Sequence, residues 1–332
     1  MTLVLFGVFG LLYGIVLQRS GFCFARAAFE LFLLRSREAV NGVLAGLIVA
    51  TIGFALVATI RARLGLPVTD HLLLLPFGPG TLVGAAMFGL GMSLAGMCVV
   101  GSLFRLGEGY VAGALALLGM VIGAALDPFR AFMPHRWGAP IAGLSLASQL
   151  GLPAAVFLTL ATLAALWWLA ARATGAGPVI QRPRIRADLA SAPVVGGVLL
   201  AVLSTLQMAR HSPWTIAYPL GVVAAAASGQ VRPSLISQAA PLIALDVGVV
   251  VGAALSALAG GDLRLRYPRQ WRQVGMSLAG GVLMGWGVQL ARGCNIGGLF
   301  SALPSLSVSA WLFLPGLVFG AWLGSLVVRR AG

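Results

Sequence analysis

The sequence predicts an all-α polytopic membrane protein, on the basis of its composition, its series of long apolar segments and an internal repeat. Hydrophobic residues make up 59% of the 332 positions and charged residues only 9%, whereas a soluble domain carries about a quarter charged residues. A water-soluble fold of this length has no core large enough for so much apolar surface, so the composition indicates the bilayer as solvent. The 45 glycines also favour a membrane protein, because small residues let membrane helices pack closely.

Apolar segments long enough to cross a bilayer occur nine times along the chain. Two shorter apolar segments, 21–34 and 295–303, are flanked by glycine and predict re-entrant half-helices. Residues 99–106 are a third candidate of this kind. The nine expected spans lie at about residues 3–18, 39–60, 78–97, 109–127, 152–172, 191–209, 239–260, 274–292 and 308–328.

The net charge of +14 indicates the membrane topology and does not indicate nucleic-acid binding. All 22 basic residues are arginines, and most lie between the apolar segments instead of in one patch. With nine spans, fifteen arginines fall on the face away from the N-terminus, which by the positive-inside rule places the N-terminus outside and the C-terminus in the cytoplasm. The first span is expected to be retained, not cleaved as a signal peptide. The arginines assigned to the outer face are Arg61, Arg63, Arg130, Arg136, Arg210, Arg232 and Arg292.

An internal repeat relates the two halves of the chain. Residues 89–104 (GLGMSLAGMCVVGSLF) and 285–300 (GWGVQLARGCNIGGLF) share aligned Gly, Leu, Ala, Cys and Phe residues, with Cys98 opposite Cys294. The first segments match less well, since Arg19-Ser-Gly-Phe-Cys23 aligns with Arg210-His-Ser-Pro-Trp214. Four spans on each side of one connecting span imply inverted halves, a transporter architecture with its solute site near the midplane. We expect one transport domain over 1–332, made of half 1–150, a connecting span and cytoplasmic linker at 151–190, and inverted half 191–332.

The three cysteines, Cys23, Cys98 and Cys294, each lie at or beyond the end of a span, beside a turn or a candidate half-helix. A membrane cysteine can simply be a small buried hydrophobe, but two of these occupy equivalent repeat positions. An odd number of thiols argues against a structural disulfide, and the lack of a C-x-x-C pair argues against a metal site. We expect no cofactor. A neutral thiol donates weak hydrogen bonds to sulfur or oxygen, which suits a sulfur-containing solute.

Residues near the cysteines indicate that this solute is an anion. Half-helices beginning near Gly21 and Asn295 would present free N–H groups and a positive dipole end. Arg19 and Arg292 lie close in sequence, with snorkelling at the interface as the alternative. Gln289 lies three residues before Arg292 on the same helix, and its alternative role is a helix–helix hydrogen bond.

Asp246 is the acidic residue within a span. An intramembrane carboxylate either carries a coupling proton or forms a structural ion pair, and the sequence leaves both open. The candidate pathway residues are therefore Cys23, Cys98, Cys294, Gly21, Asn295, Gln289, Arg292 and Arg19, with Asp246 as a coupling or structural acid.

The fragments Arg19-Ser-Gly-Phe-Cys23, Gly96-Met-Cys98-Val-Val-Gly101 and Arg292-Gly-Cys294-Asn-Ile-Gly-Gly298, in this order, resemble the YeeE/YedE sulfur-transport family. The resemblance covers nearly the whole chain. It implies an hourglass-like fold, uptake of thiosulfate across the bacterial inner membrane, and transient S–H contacts of the anion with the three cysteines. It also implies a small cytoplasmic sulfur-carrier protein as a partner, and links some members to selenium metabolism.

Three functions stay open at this point. The first is a permease, not an enzyme, for thiosulfate or a related sulfur anion, with a selenium-containing or other sulfur species as an alternative substrate. No lysine exists to complete a P-loop, so its energy comes from gradients, the membrane potential or consumption of the product inside. The second is an intramembrane thiol-dependent sulfurtransferase or redox protein, which needs an activated thiolate. The third is a membrane subunit of a larger complex, whose cysteines only pack.

Overall fold

The computed structural model describes residues 2–67, 72–126, 141–174, 193–229 and 233–331. These residues form α-helices and two short π-helices joined by loops. In chain order the elements are α1 (Thr2–Ser20), α2 (Phe24–Phe29), π1 (Glu30–Leu34), α3 (Glu38–Arg63), α4 (Pro79–Ala95), α5 (Val99–Gly107), α6 (Val111–Ala125), α7 (Leu146–Leu150), α8 (Leu152–Thr174), α9 (Pro193–Arg210), α10 (Ala217–Ala227), α11 (Pro233–Gly260), α12 (Trp271–Ala291), π2 (Asn295–Ser301) and α13 (Val308–Ala331).

The long apolar helices confirm an all-α multi-pass membrane fold. In the described part of the chain, eight helices or helix runs are long and apolar enough to cross a membrane. They correspond to all of the expected spans except the fourth, at 109–127. That span is α6, whose 15 residues give a length of about 22 Å, shorter than the hydrocarbon core of about 30 Å.

Short helices occupy all three segments expected to be half-helices. The first begins later than expected, because Gly21 forms a turn at φ +60° and α2 starts only at Phe24. The other two are α5 and π2, close to their expected bounds. A fourth short apolar helix, α10, was not predicted, because its 11 residues follow Pro213 and contain Pro219, both of which are typical of loops.

The long helices pair across the two halves of the chain. α1 packs along α11 and α9 packs along α3, so the first long helix of each half lies against the second long helix of the other. Likewise, α4 packs against α12 and α13, and α12 also packs against α6. The inverted relation of the two halves stays a prediction from the repeat. The connecting helix α8 packs mainly against α3 and α7, and the expected linker after it lies outside the described residues.

Glycines allow these helices to touch at the backbone. A Cβ added at Gly10 in α1 would lie 2.9 Å from the Cα of Gly248 in α11. A Cβ added at Gly285 in α12 would lie 2.8 Å from the backbone nitrogen of Ala124 in α6. Distances this short leave no room for a side chain, so these glycines are points of close backbone contact between the helices.

Candidate functional site

The three cysteines share one structural role, because each is the residue that immediately precedes a short helix. Cys23 precedes α2, Cys98 precedes α5 and Cys294 precedes π2, all with extended backbone. The Sγ of Cys98 accepts a hydrogen bond from the N–H of Gly101 at 3.3 Å, and the Sγ of Cys294 accepts one from the N–H of Gly297 at 3.4 Å. The thiols of Cys98 and Cys294 therefore cap N–H groups that lack partners within the helix, whereas the thiol of Cys23 makes no such hydrogen bond.

Two of the thiols are in contact. The Sγ atoms of Cys23 and Cys98 lie 3.4 Å apart, and both residues are free cysteines buried from solvent. The turn at Gly21, whose N–H donates to the carbonyl of Leu17 at 2.9 Å, brings Cys23 into this position. The role of Gly21 is thus to form the turn between α1 and α2.

Gly101 makes this contact possible. A Cβ added at Gly101 would lie 2.9 Å from the Sγ of Cys23 and 3.5 Å from the Sγ of Cys98. The space beside the two sulfurs therefore exists only because this position has no side chain.

Asn295 reaches the thiol pair from the other half of the chain. Its side chain lies beside the Cys98 thiol, and its exposed fraction is 0%. Among the described residues, neither its Nδ2 nor its Oδ1 meets a hydrogen-bond partner in good geometry. Beyond its contact with the Cys98 thiol, this buried amide therefore keeps hydrogen-bonding capacity at the place where the two halves of the chain meet.

Around Cys294 the polar groups belong to the segment before α10. The indole Nε1 of Trp214 donates to the Oδ1 of Asp246 at 3.1 Å, and its ring stacks on Tyr13 with centroids 4.5 Å apart. The Oγ of Ser301 donates to the backbone carbonyl of Trp214 at 2.6 Å. Asp246 therefore anchors Trp214, and among the described residues it forms no ion pair with an arginine, unlike one of the two expectations from the sequence.

The remaining predicted residues lie at helix contacts and helix ends. The Nε of Arg19 donates to the Oγ of Ser256 at 3.0 Å, where α1 packs on α11. The Nε2 of Gln289 donates to the carbonyl of Ala124 at 3.2 Å, which is the helix–helix hydrogen bond weighed as its alternative. Arg292 is exposed at the end of α12, in the left-handed region at φ 56°. The structure thus brings together Cys23, Cys98 and Asn295, and transport roles for the other residues stay predictions.

The anchoring role of Asp246 predicts that replacement by Asn and replacement by Leu have different effects on stability. In Asp246→Asn the amide oxygen still accepts the hydrogen bond from Trp214, whereas Asp246→Leu leaves the buried indole N–H without a partner, at a cost of about 1–3 kcal/mol. We expect the Asn variant to keep the melting temperature and the Leu variant to lose several degrees, measured by thermal unfolding of the purified protein. Val247→Leu, at the neighbouring exposed position, is the control. An Asn variant that keeps its melting temperature but loses transport would instead assign a coupling proton to Asp246.

Comparisons with known proteins identify transporters as relatives of this chain. A family model described as Sulphur transport matches residues 19–323. The thiosulfate transporter TsuA of Spirochaeta thermophila is 28% identical, with 97% of this chain and 97% of that protein covered. The thiosulfate transporter TsuA of Escherichia coli is 26% identical, with 96% and 92% covered. The probable transporter YedE of Salmonella typhimurium is 34% identical over a shorter region, 26% of this chain and 22% of that protein.

Proposed function

Because this chain belongs to the Sulphur transport family, we propose that it is an inner-membrane permease that imports thiosulfate or a related sulfur-containing anion. The anion passes through the junction of the two halves, along a pathway lined by Cys23, Cys98 and Cys294. The family and both full-length relatives are transporters, so the chain is a transport protein and not an enzyme. The names of the two relatives support thiosulfate as the substrate.

The observation that carries the proposal is the buried amide of Asn295 beside the Cys23–Cys98 thiol pair. Thiosulfate has one terminal sulfur and three oxygens. Thiols donate weak hydrogen bonds and have polarizable sulfur, so they suit the terminal sulfur. The NH₂ group of an amide donates to oxygen. These groups match the two ends of the anion, and none of them carries a fixed positive charge that would hold it tightly.

Helix orientation adds a favourable field. α5 begins directly after Cys98. α10 begins two residues after Thr215, which packs against Gly297 in the turn that Cys294 caps. The positive ends of their dipoles therefore lie next to the pathway. We infer that brief contacts with neutral thiols in this field let a divalent anion enter and leave the protein without a lasting covalent bond.

We also propose that α6 crosses the membrane as a short ninth span, which places the N-terminus outside and the C-terminus in the cytoplasm. Among the described residues, Arg35, Arg37 and the arginines between α11 and α12 support this orientation by the positive-inside rule. Arg130, Arg136, the 182–186 run and Arg232 lie outside the described residues. A small sulfur-carrier protein, expected from the family resemblance, would dock on this arginine-rich inner face.

Uptake by purified protein tests the proposal. The chain is reconstituted into liposomes, and entry of ³⁵S-labelled thiosulfate is compared with entry into protein-free liposomes. We expect uptake several-fold above the protein-free level, reduced by excess unlabelled thiosulfate. A folded chain that shows no uptake, in liposomes and in a bacterium given thiosulfate as its sulfur source, would refute thiosulfate import by this chain alone.

A further inference from the structure

Gly101 and Gly297, whose N–H groups donate to the capping thiols of the repeat, each lie against a side chain from another part of the chain. At Gly101, in the turn capped by Cys98, an added Cβ would lie 2.9 Å from the Sγ of Cys23. At Gly297, in the turn capped by Cys294, an added Cβ would lie 2.5 Å from the Oγ1 of Thr215 and 3.1 Å from its Cβ. Thr215 therefore occupies, in the second half, the place that Cys23 occupies in the first.

This equivalence differs from the one that the sequence alignment gives, which places Trp214 opposite Cys23. The side chain of Trp214 is fixed elsewhere, since its indole donates to Asp246 and its ring stacks on Tyr13. The hydrogen bond from Ser301 to the carbonyl of Trp214 ties the same segment to π2. These contacts hold the next residue, Thr215, over the first turn of π2, with an exposed fraction of 8%.

The replacement of a thiol by a hydroxyl makes the two ends of the pathway chemically different. Two thiols meet at Gly101, whereas a hydroxyl meets a thiol-capped turn at Gly297. A hydroxyl donates a stronger hydrogen bond to an anionic oxygen than a thiol does, because the S–H group is a weak donor. The Cys294 end is therefore suited to the oxygens of an anion, and the Cys98 end to its terminal sulfur.

We propose that Thr215 is a selectivity-determining residue whose hydroxyl donates a hydrogen bond to an oxygen of the transported anion as it passes Cys294. The inference rests on the proposed function, and it names the part of the substrate that this end of the pathway recognises. Anions with oxygens are favoured by Thr215, and anions that carry only a terminal sulfur are not.

Competition for thiosulfate uptake tests the proposal. Sulfate has oxygens and no terminal sulfur, whereas thiocyanate has a terminal sulfur and no oxygen. In Thr215→Val, which keeps the side-chain shape and removes the hydroxyl, we expect the half-inhibitory concentration of sulfate to rise roughly tenfold and that of thiocyanate to stay the same. Thr215→Ser should restore the wild-type ratio of the half-inhibitory concentrations of sulfate and thiocyanate. Thr215→Cys should change this ratio so that thiocyanate competes better than sulfate. Thr159→Val is the matched control, because Thr159 is buried in α8 and its hydroxyl bonds to Ala155 of its own helix.

Thermal stabilisation of the purified protein by thiosulfate separates the outcomes. Wild-type uptake with unchanged competition in Thr215→Val would overturn the role of Thr215 and leave the proposed function standing. If the wild type does not import thiosulfate but is stabilised by it, and Thr215→Val alone loses that stabilisation, the anion contact holds and the transport proposal fails. Neither uptake nor stabilisation in the wild type would overturn both.

Discussion

Replacing Cys98 by alanine is expected to lower the rate of thiosulfate import roughly 10- to 100-fold, the range set by losing a hydrogen bond to a charged ligand. Cys98 is where the two halves meet: its sulfur contacts the Sγ of Cys23, accepts the N–H of Gly101 and lies beside Asn295. Alanine removes the thiol that we propose as a donor to the anion, and it removes the contact of that thiol with the amide of Asn295. The measurement is the initial rate of ³⁵S-thiosulfate uptake in liposomes, normalised to the amount of reconstituted protein.

Two further variants make this result specific. Cys98→Ser keeps a small donor but replaces polarizable sulfur by oxygen, so we expect an intermediate rate. Ser325→Ala serves as the control, because it removes an equally small buried polar group whose hydrogen bond stays within α13. Import at the wild-type rate by Cys98→Ala would show that the cysteines only pack, as the membrane-subunit alternative requires.

Gly101→Ala is expected to abolish import by filling the space beside the thiol pair. The new methyl group would lie 2.9 Å from the Sγ of Cys23, closer than van der Waals contact, so the sulfur of Cys23 must shift. Overpacking of this kind costs about 1–3 kcal/mol, and a lower melting temperature should accompany the lost uptake. Gly275→Ala is the control, since no atom lies within 4 Å of a Cβ added at that helical position.

A double variant separates blocked transport from lost stability. Cys23→Ala removes the sulfur that the new methyl group meets, so Cys23→Ala combined with Gly101→Ala should regain the melting temperature. Import should stay low, because the thiol pair is gone. If the double variant regains both properties, Cys23 has no part in the pathway and the Gly101 effect is only steric.

Much of this arrangement is visible in the sequence, because it depends on local patterns. Apolar length predicts the long helices, and glycine-flanked apolar segments predict the half-helices. The repeat places Cys98 and Cys294 at equivalent positions before the structure shows that both cap helices. By contrast, α10 was missed because its prolines and short length are equally typical of a loop.

What the sequence does not show depends on contacts between distant residues. The partner of Arg19 is Ser256 and that of Gln289 is Ala124, separated by 237 and 165 positions, so no local pattern reveals either pairing. The equivalence of Thr215 with Cys23 inferred above differs by one residue from the alignment of Trp214 with Cys23. The alignment is weak there, and only the packing against Gly297 identifies Thr215 as the equivalent residue.

The exchange of helices between the halves has a consequence for how the protein is made. α1 emerges from the ribosome long before α11, against which its glycine-lined face packs. α3 likewise lacks its packing partner until α9 is synthesised. Neither half can complete its own packing during synthesis, so the first helices must stay in the membrane with their contact faces against lipid or insertion machinery until their partners arrive. The contact between the Cys23–Cys98 pair and Asn295 therefore forms late, once both halves are in the bilayer.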